Sequence, residues 1–171
     1  MNVGAKCATP ISKLYGVSRD VRFALKIHAI TTSERLLRAA ARYEDREALA
    51  VAGRLHLDAL TAVVQRADIA RVNGIGTSFA RMLADVGIPD VATLAAQDAR
   101  ALQLRLHAFN QAERLVRRCP TLDEIVDWVA QARQLPVIVT YAPQDDETAI
   151  IDGPVAGAGW AERASTAGLS S

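Results

Sequence analysis

The sequence predicts an all-α protein, organised as a compact bundle of short helices with two tandem helical hairpins. Alanine and leucine are abundant while runs of β-branched residues are scarce, a composition that favours helices over strands. Hydrophobic residues make up 50% of the 171 residues, which is enough for a real hydrophobic core. The chain also repeats itself, since residues 69–95 match the apolar pattern of residues 11–37 at a shift of 58 residues.

The repeat divides the chain into two similar halves. At this shift Ile11 pairs with Ile69 and Gly16 pairs with Gly74, so both halves carry a glycine at the same point of the pattern. A period this long is typical of a duplicated domain and not of a solenoid. We predict a disordered N-terminus, a first half, a second half and a flexible tail, over residues 1–10, 11–68, 69–136 and 137–171 respectively.

The tail differs in composition from the rest of the chain. A short β-prone run, VIVTYA, directly follows Pro136. The residues beyond it are rich in glycine, alanine, serine and aspartate, with neither a helical period nor enough apolar content to order themselves. We therefore expect residues 143–171 to be largely disordered.

Capping residues mark the predicted ends of the helices. Glu124 lies three residues after Thr121, and this spacing predicts a capping box. Gly87 is placed to end the helix before it, and Pro136 to end the last helix. The predicted N-terminal caps are, in chain order, Ser33, Thr77 or Ser78, Asp98, Asn110 and Thr121.

The second hairpin, Gly74-Ile75-Gly76, lies between two predicted helices, a pattern typical of the helix-hairpin-helix motif. Its glycines allow positive φ angles and expose the N–H groups at the start of the next helix, where the helix dipole favours an anion. A bound phosphate would then lie beside Thr77, Ser78 and Arg81. The same glycines could instead form only a tight turn between packed helices. The sequence leaves both interpretations open.

The first hairpin, Gly16-Val17-Ser18, keeps the first glycine and replaces the second by Ser18. A side chain at that position should make a positive φ costlier, so this copy should bind phosphate less well and serve mainly to pair with the second hairpin. Lys13, Arg19 and Arg22 surround the turn. A weak phosphate contact through Gly16 and Arg19 therefore stays open.

Charge is distributed unevenly along the chain. Residues 11–135 contain 18 Lys and Arg against 14 Asp and Glu, a net charge of +4, whereas residues 136–171 carry a net charge of −4. A mildly basic body permits a phosphate-rich partner without requiring one, because dedicated nucleic-acid domains usually carry a denser basic face.

Residues typical of catalysis or metal binding do not form a recognisable pattern. His28, His56 and His107 are scattered, and no Walker lysine or GxSxG motif occurs. We expect no enzyme activity, no metal and no cofactor. Two distant cysteines, with no secretory signal or bilayer-spanning run, favour a cytoplasmic location and no membrane contact.

Several segments together resemble a known family. RADIARVNGIG, LADVGIPDVATLA, FNQAERLVRRCP and LDEIVDWVAQARQLP are similar to the bacterial domain of unknown function 4332, a tandem helix-hairpin-helix domain. The similarity extends back through the first half, where it is looser, and covers residues 11–136. It implies the fold and a role in nucleic-acid or protein interaction. The family pattern has a Gly-apolar-Gly hairpin in both halves, so Ser18 departs from it.

These observations favour the hypothesis that the protein is a non-catalytic binding module. It would contact the DNA or RNA backbone, without sequence preference, through the second hairpin. The alternative is a protein-protein interaction or scaffold domain that uses the same hairpins, because a fold does not determine function. Salt separates the two hypotheses, since phosphate contacts weaken steeply with ionic strength and apolar packing does not.

Overall fold

The computed structural model describes residues 8–141. In this range the regular structure consists of one short 3₁₀ helix and eight α-helices, which confirms the predicted all-α fold class. The helices are the 3₁₀ helix Ile11–Lys13, α1 (Arg19–Ile27), α2 (Ser33–Ala40), α3 (Tyr43–Gly53), α4 (Leu57–Ile69), α5 (Thr77–Asp85), α6 (Val91–Ala95), α7 (Ala99–Glu113) and α8 (Leu122–Gln134). None of the helices in the described range is long and apolar enough to cross a bilayer.

Helices α5–α8 repeat the order of α1–α4, and α8 packs on α6 and α7 as α4 packs on α2 and α3. Both α1 and α5 have nine residues and are followed, after the C-cap, by a positive-φ residue, Ala29 or Gly87, at the shift of 58 residues. Both α4 and α8 have 13 residues and bury one apolar stripe. The stripe comprises Leu60, Val63, Val64 and Ala67 in α4, and Ile125, Trp128, Val129 and Ala132 in α8.

The buried side chains form two hydrophobic clusters, one for each set of four helices. Leu25, Leu36 and Leu60 belong to the first cluster, whereas Leu83 and Trp128 belong to the second. Helix α4 contributes to both clusters, because its earlier residues face the first and its last residue faces the second.

The end of α4 is joined to the second half through Asp68. This carboxylate is only 3% exposed, pairs with Arg71 at 2.6 Å and accepts the Val91 N–H at 2.9 Å, at the start of α6. Burial raises the pKa of Asp68, although the Val91 amide and Arg71 oppose the shift by favouring the ionised form. The buried ion pair therefore fixes the direction in which the chain leaves α4.

Some helix ends are as predicted. The Asp98 side chain accepts the Ala101 N–H at 2.9 Å and begins α7. Thr121 and Glu124 form the predicted capping box at the start of α8. Gly87, with φ of +84°, follows the last turn of α5.

Three predicted caps are wrong. Thr32, and not Ser33, caps α2, because the Thr32 hydroxyl accepts the Arg35 N–H while Ser33 is already helical and buried. Gly76 occupies the cap position of α5, so Thr77 and Ser78 lie inside the helix. Asn110 also lies inside a helix, α7. Its side-chain amide does not cap a helix start and instead forms two hydrogen bonds with the backbone of Val116, beyond the end of α7.

Part of the predicted disordered N-terminus and part of the predicted flexible tail are ordered in the described range. Thr9 exchanges two hydrogen bonds with Ser33, so the N-terminal prediction is wrong for residues 8–10. The tail prediction is wrong for residues 137–141, because Val139 is 6% exposed in the first cluster and the Thr140 N–H donates to Ala41. The predictions for residues 1–7 and 142–171 lie outside the described residues.

Arg46 holds residues 137–141 against the first half. Its guanidinium, 1% exposed, donates to the carbonyl oxygens of Ala40, Ala41 and Thr140. The Tyr141 ring lies 5.8 Å from its Cζ atom. Because three carbonyl oxygens share this one cation, its removal leaves them without that donor in a buried setting.

We expect Arg46→Met, which keeps the aliphatic stem and removes the donors, to lower the free energy of unfolding by about 2–4 kcal/mol. Urea unfolding followed by circular dichroism measures the change. Arg38→Met is the control, because the Arg38 side chain is 75% exposed and its pairing with Glu34 is worth at most about 1 kcal/mol. Equal effects of the two substitutions would contradict the anchoring role of Arg46.

Candidate functional site

The second hairpin requires glycine at position 74 for two reasons. The φ angle of Gly74 is +87°, in the left-handed region that residues with a Cβ rarely adopt. A Cβ atom added there would also lie 2.9 Å from Nε1 of Trp128. The turn is therefore packed directly against the buried tryptophan of α8.

Gly76 differs from Gly74 in both respects. Its φ is −85°, a value open to any residue, and a Cβ atom there would meet nothing within 4 Å. The prediction that the second glycine of the hairpin supplies a positive φ is therefore wrong. Gly76 instead leaves the start of α5 without a side-chain cap, because it is the N-cap residue and has no hydroxyl or carboxylate.

The first hairpin shows what a side chain does at this position. Gly16 has φ of +61°, so the positive φ again falls on the first glycine. Ser18 has φ of −62°, and its hydroxyl accepts the Val21 N–H at 3.2 Å. The predicted strain at Ser18 is thus absent. Ser18 therefore caps a first-turn amide of α1. The start of α5 has no such side-chain cap.

A cleft of about 410 Å³ lies between the two hairpins. We call it the hairpin cleft. Residues of both halves line it: Thr9, Lys13, Leu14, Tyr15, Arg66, Ala70, Gly74, Ile75, Gly76, Thr77 and Ala80. Among these residues two are cationic and none is acidic, so the cleft has a positive character.

Arg66 joins α4 to the first hairpin across the cleft. Its Nη1 atom donates to the Gly16 carbonyl at 3.0 Å, and its Cζ atom lies 4.6 Å from the centre of the Tyr15 ring. Burial raises the pKa of Tyr15, against the opposing influence of Arg66. The tyrosine is therefore neutral at physiological pH, and the charge of Arg66 remains available to the cleft.

Lys13 supplies the second cation. It ends the 3₁₀ helix, and its side chain lines the cleft on an exposed part of the surface. A lysine ammonium offers three donors and forms no fixed fork, so it suits an anion whose exact position varies. Lys13, Arg66 and the start of α5, which has no side-chain cap, thus all border the same cleft.

The structure brings together part of the predicted site. Four of the predicted residues line the hairpin cleft: Gly74, Ile75, Gly76 and Thr77. Ile75 does so while 5% exposed in the second cluster, so its role there is packing.

The other predicted residues lie around the cleft. Gly16 contacts it through Arg66. Ser78 is exposed in the first turn of α5 and does not line the cleft. Arg81 lies one turn further along α5, paired with Asp85 at 3.7 Å, and Arg19 is exposed at the start of α1.

Arg66 is the main residue that sequence reasoning missed. It lies 50 residues from Gly16, so no local motif connects them. The available indication was its position, because Arg66 lies in the last turn of the helix that leads into the second hairpin.

A comparison with family models identifies the chain. The model of the domain of unknown function 4332 matches residues 15–135, and the chain belongs to that family. No curated protein and no solved structure matches the chain significantly.

The two glycines of the second hairpin should respond differently to alanine. Gly74→Ala combines an unfavourable φ with a contact to Trp128, and we expect it to destabilise the protein by about 2 kcal/mol or more. Gly76→Ala should cost less than about 1 kcal/mol, because its backbone and surroundings accept a methyl group. Thermal unfolding of both variants measures the difference, and an equal loss would contradict the described hairpin geometry.

Proposed function

We propose that this member of the domain of unknown function 4332 family is a non-catalytic, cytoplasmic module that binds the phosphate backbone of DNA or RNA. In this proposal the two hairpins are helix-hairpin-helix motifs, and the phosphate enters the hairpin cleft. One observation carries the proposal: the side-chain-uncapped start of α5 opens into the same cleft as Lys13 and Arg66.

The start of α5 supplies the directional contacts. The first N–H groups of a helix have no partner within the helix, and the helix dipole adds a partial positive charge there. Gly76 has open space where a Cβ would lie, so an anion can approach the backbone closely. Thr77 adds a hydroxyl at the same end of the helix. Such a site is suited to a phosphate oxygen.

Lys13 and Arg66 supply the charge. They are the two cationic side chains of the cleft lining, and they reach the cleft from the first half while α5 reaches it from the second. Contacts of this kind position a nucleic acid by its backbone and read no base edges. The proposed binding is therefore independent of sequence and strongly dependent on salt.

Residues around the cleft extend the proposed contact. Ser78 and Arg81 continue along the exposed face of α5, where a second phosphate of the same strand could lie. On the side of the first half, the edge of the contact is marked by Arg19 and by Gly16, whose carbonyl oxygen accepts a hydrogen bond from Arg66. The first hairpin is the weaker contact in this proposal, because Ser18 already bonds the Val21 amide.

Gly76→Ser tests the role of the uncapped helix start. The new hydroxyl should cap α5 as Ser18 caps α1, raising stability by about 0.5 kcal/mol and weakening nucleic-acid binding about fivefold. Fluorescence anisotropy of a labelled oligonucleotide measures the affinity. Ser18→Gly is the matched converse and should leave affinity unchanged or raise it. Unchanged binding by Gly76→Ser would exclude the α5 amides as the phosphate site.

Lys13→Gln tests the electrostatic part of the proposal. One lost phosphate contact should weaken binding and reduce the slope of log K against log salt by about one unit, for every oligonucleotide sequence. Arg81→Ala should have the same effect if a second phosphate lies beside it. Arg100→Gln is the control, since Arg100 is exposed on α7, away from the cleft lining.

A result contrary to the proposal would be wild-type affinity no tighter than millimolar at low salt. Superposition of the Lys13→Gln and wild-type salt curves would have the same meaning. Either result would favour the protein-interaction alternative, whose apolar contacts depend little on salt.

A further inference from the structure

The exposed face of α1 combines positive charge with large apolar side chains. Phe23 is 65% exposed and Ile27 is 66% exposed, one helical turn apart. The helix buries its opposite side through Val21, Ala24 and Leu25. At 3.6 residues per turn the outward residues share one surface, the α1 face: Arg19, Arg22, Phe23, Lys26 and Ile27.

The cations of the α1 face have no acidic partner among the residues that the structure describes. Within residues 8–141, Arg19, Arg22 and Lys26 form no ion pair within 4.0 Å. The acidic residue of the helix, Asp20, lies in its first turn, where its negative charge interacts favourably with the helix dipole. Within the described residues, three exposed cations therefore lie beside an exposed phenylalanine without an ion-pair partner.

The α1 face follows the hairpin cleft closely in sequence. Lys13 and Tyr15 line the cleft, Gly16 bonds Arg66, and Arg19 begins α1 directly after the first hairpin. The first hairpin lies between the two surfaces in the chain, so the cations of the α1 face follow Lys13 of the cleft in sequence.

We propose that the α1 face binds single-stranded nucleic acid, with phosphates on its cations and an unpaired base stacked on Phe23. This proposal rests on the function proposed above and names the preferred partner. The bases of a duplex are stacked inside it and offer no face to an exposed ring. Aromatic side chains beside a line of cations are the usual means of holding single strands.

The choice between a nucleic acid and a membrane surface follows from the same face. A helix that lies on a lipid surface presents a broad apolar side, with cations on the other side. In α1 the apolar side is narrow, because Phe23 and Ile27 are its two large exposed apolar residues, and Arg19 and Lys26 lie about one turn before and after Phe23 along the helix. Charge on both sides of a single aromatic ring matches a nucleotide strand, in which phosphates flank each base.

The experiment compares Phe23→Leu with wild type on a labelled oligothymidine and on a labelled duplex of matched length. Leucine keeps an apolar side chain and removes the stacking face. We expect single-strand affinity to fall about fivefold or more, the lower limit for loss of one stacked base, with duplex affinity unchanged. Leu104→Ala is the control, because Leu104 is 72% exposed on α7.

The outcomes separate this proposal from the preceding one. If Lys13→Gln weakens both probes while Phe23→Leu weakens neither, the cleft function stands and the α1 proposal fails. If wild type binds neither probe, both proposals fail. Binding to vesicles of anionic lipid that Phe23→Leu abolishes, with oligothymidine binding unchanged, would reassign the α1 face to a membrane surface.

Discussion

Helix α4 is the constraint on which the arrangement of the two halves depends. Its apolar stripe completes the first cluster, and its last residue, Ile69, enters the second. Asp68 then fixes the end of the helix to the start of α6. Because one rigid helix carries Arg66 toward the first hairpin and leads directly into the second, the spacing of the two hairpins is set by helix geometry. The hairpin cleft is the space that this spacing leaves.

The two hairpins show how a duplicated unit can diverge by one side chain. Both retain the positive-φ glycine, which the turn geometry requires. They differ at the cap, where Ser18 satisfies a helix amide internally and Gly76 does not. A cap adds stability, whereas an open helix start can serve a ligand. The proposed binding function thus uses the copy that gives up a stabilising contact, a common exchange at functional sites.

The features predicted correctly from the sequence are those set by local chemistry. The Thr121 and Glu124 capping box and the Asp98 cap depend on residues three positions apart. Local patterns misplaced the cap of α2, because Thr32 and Ser33 are both good capping residues and only packing buries one of them. The cleft was beyond prediction from one sequence, since its Arg66 contact spans 50 residues and depends on how two halves pack.

The first half is discontinuous in sequence. Its hydrophobic cluster begins at Ile11 and includes Val139, while the intervening α5–α8 build the other cluster. In sequence, the second half therefore lies between the main part of the first cluster and the short segment that completes it. During synthesis the first four helices emerge early but lack the segment that contacts Arg46, so their cluster is completed only after the whole second half has left the ribosome. Residues 11–68 alone therefore do not contain the complete first cluster.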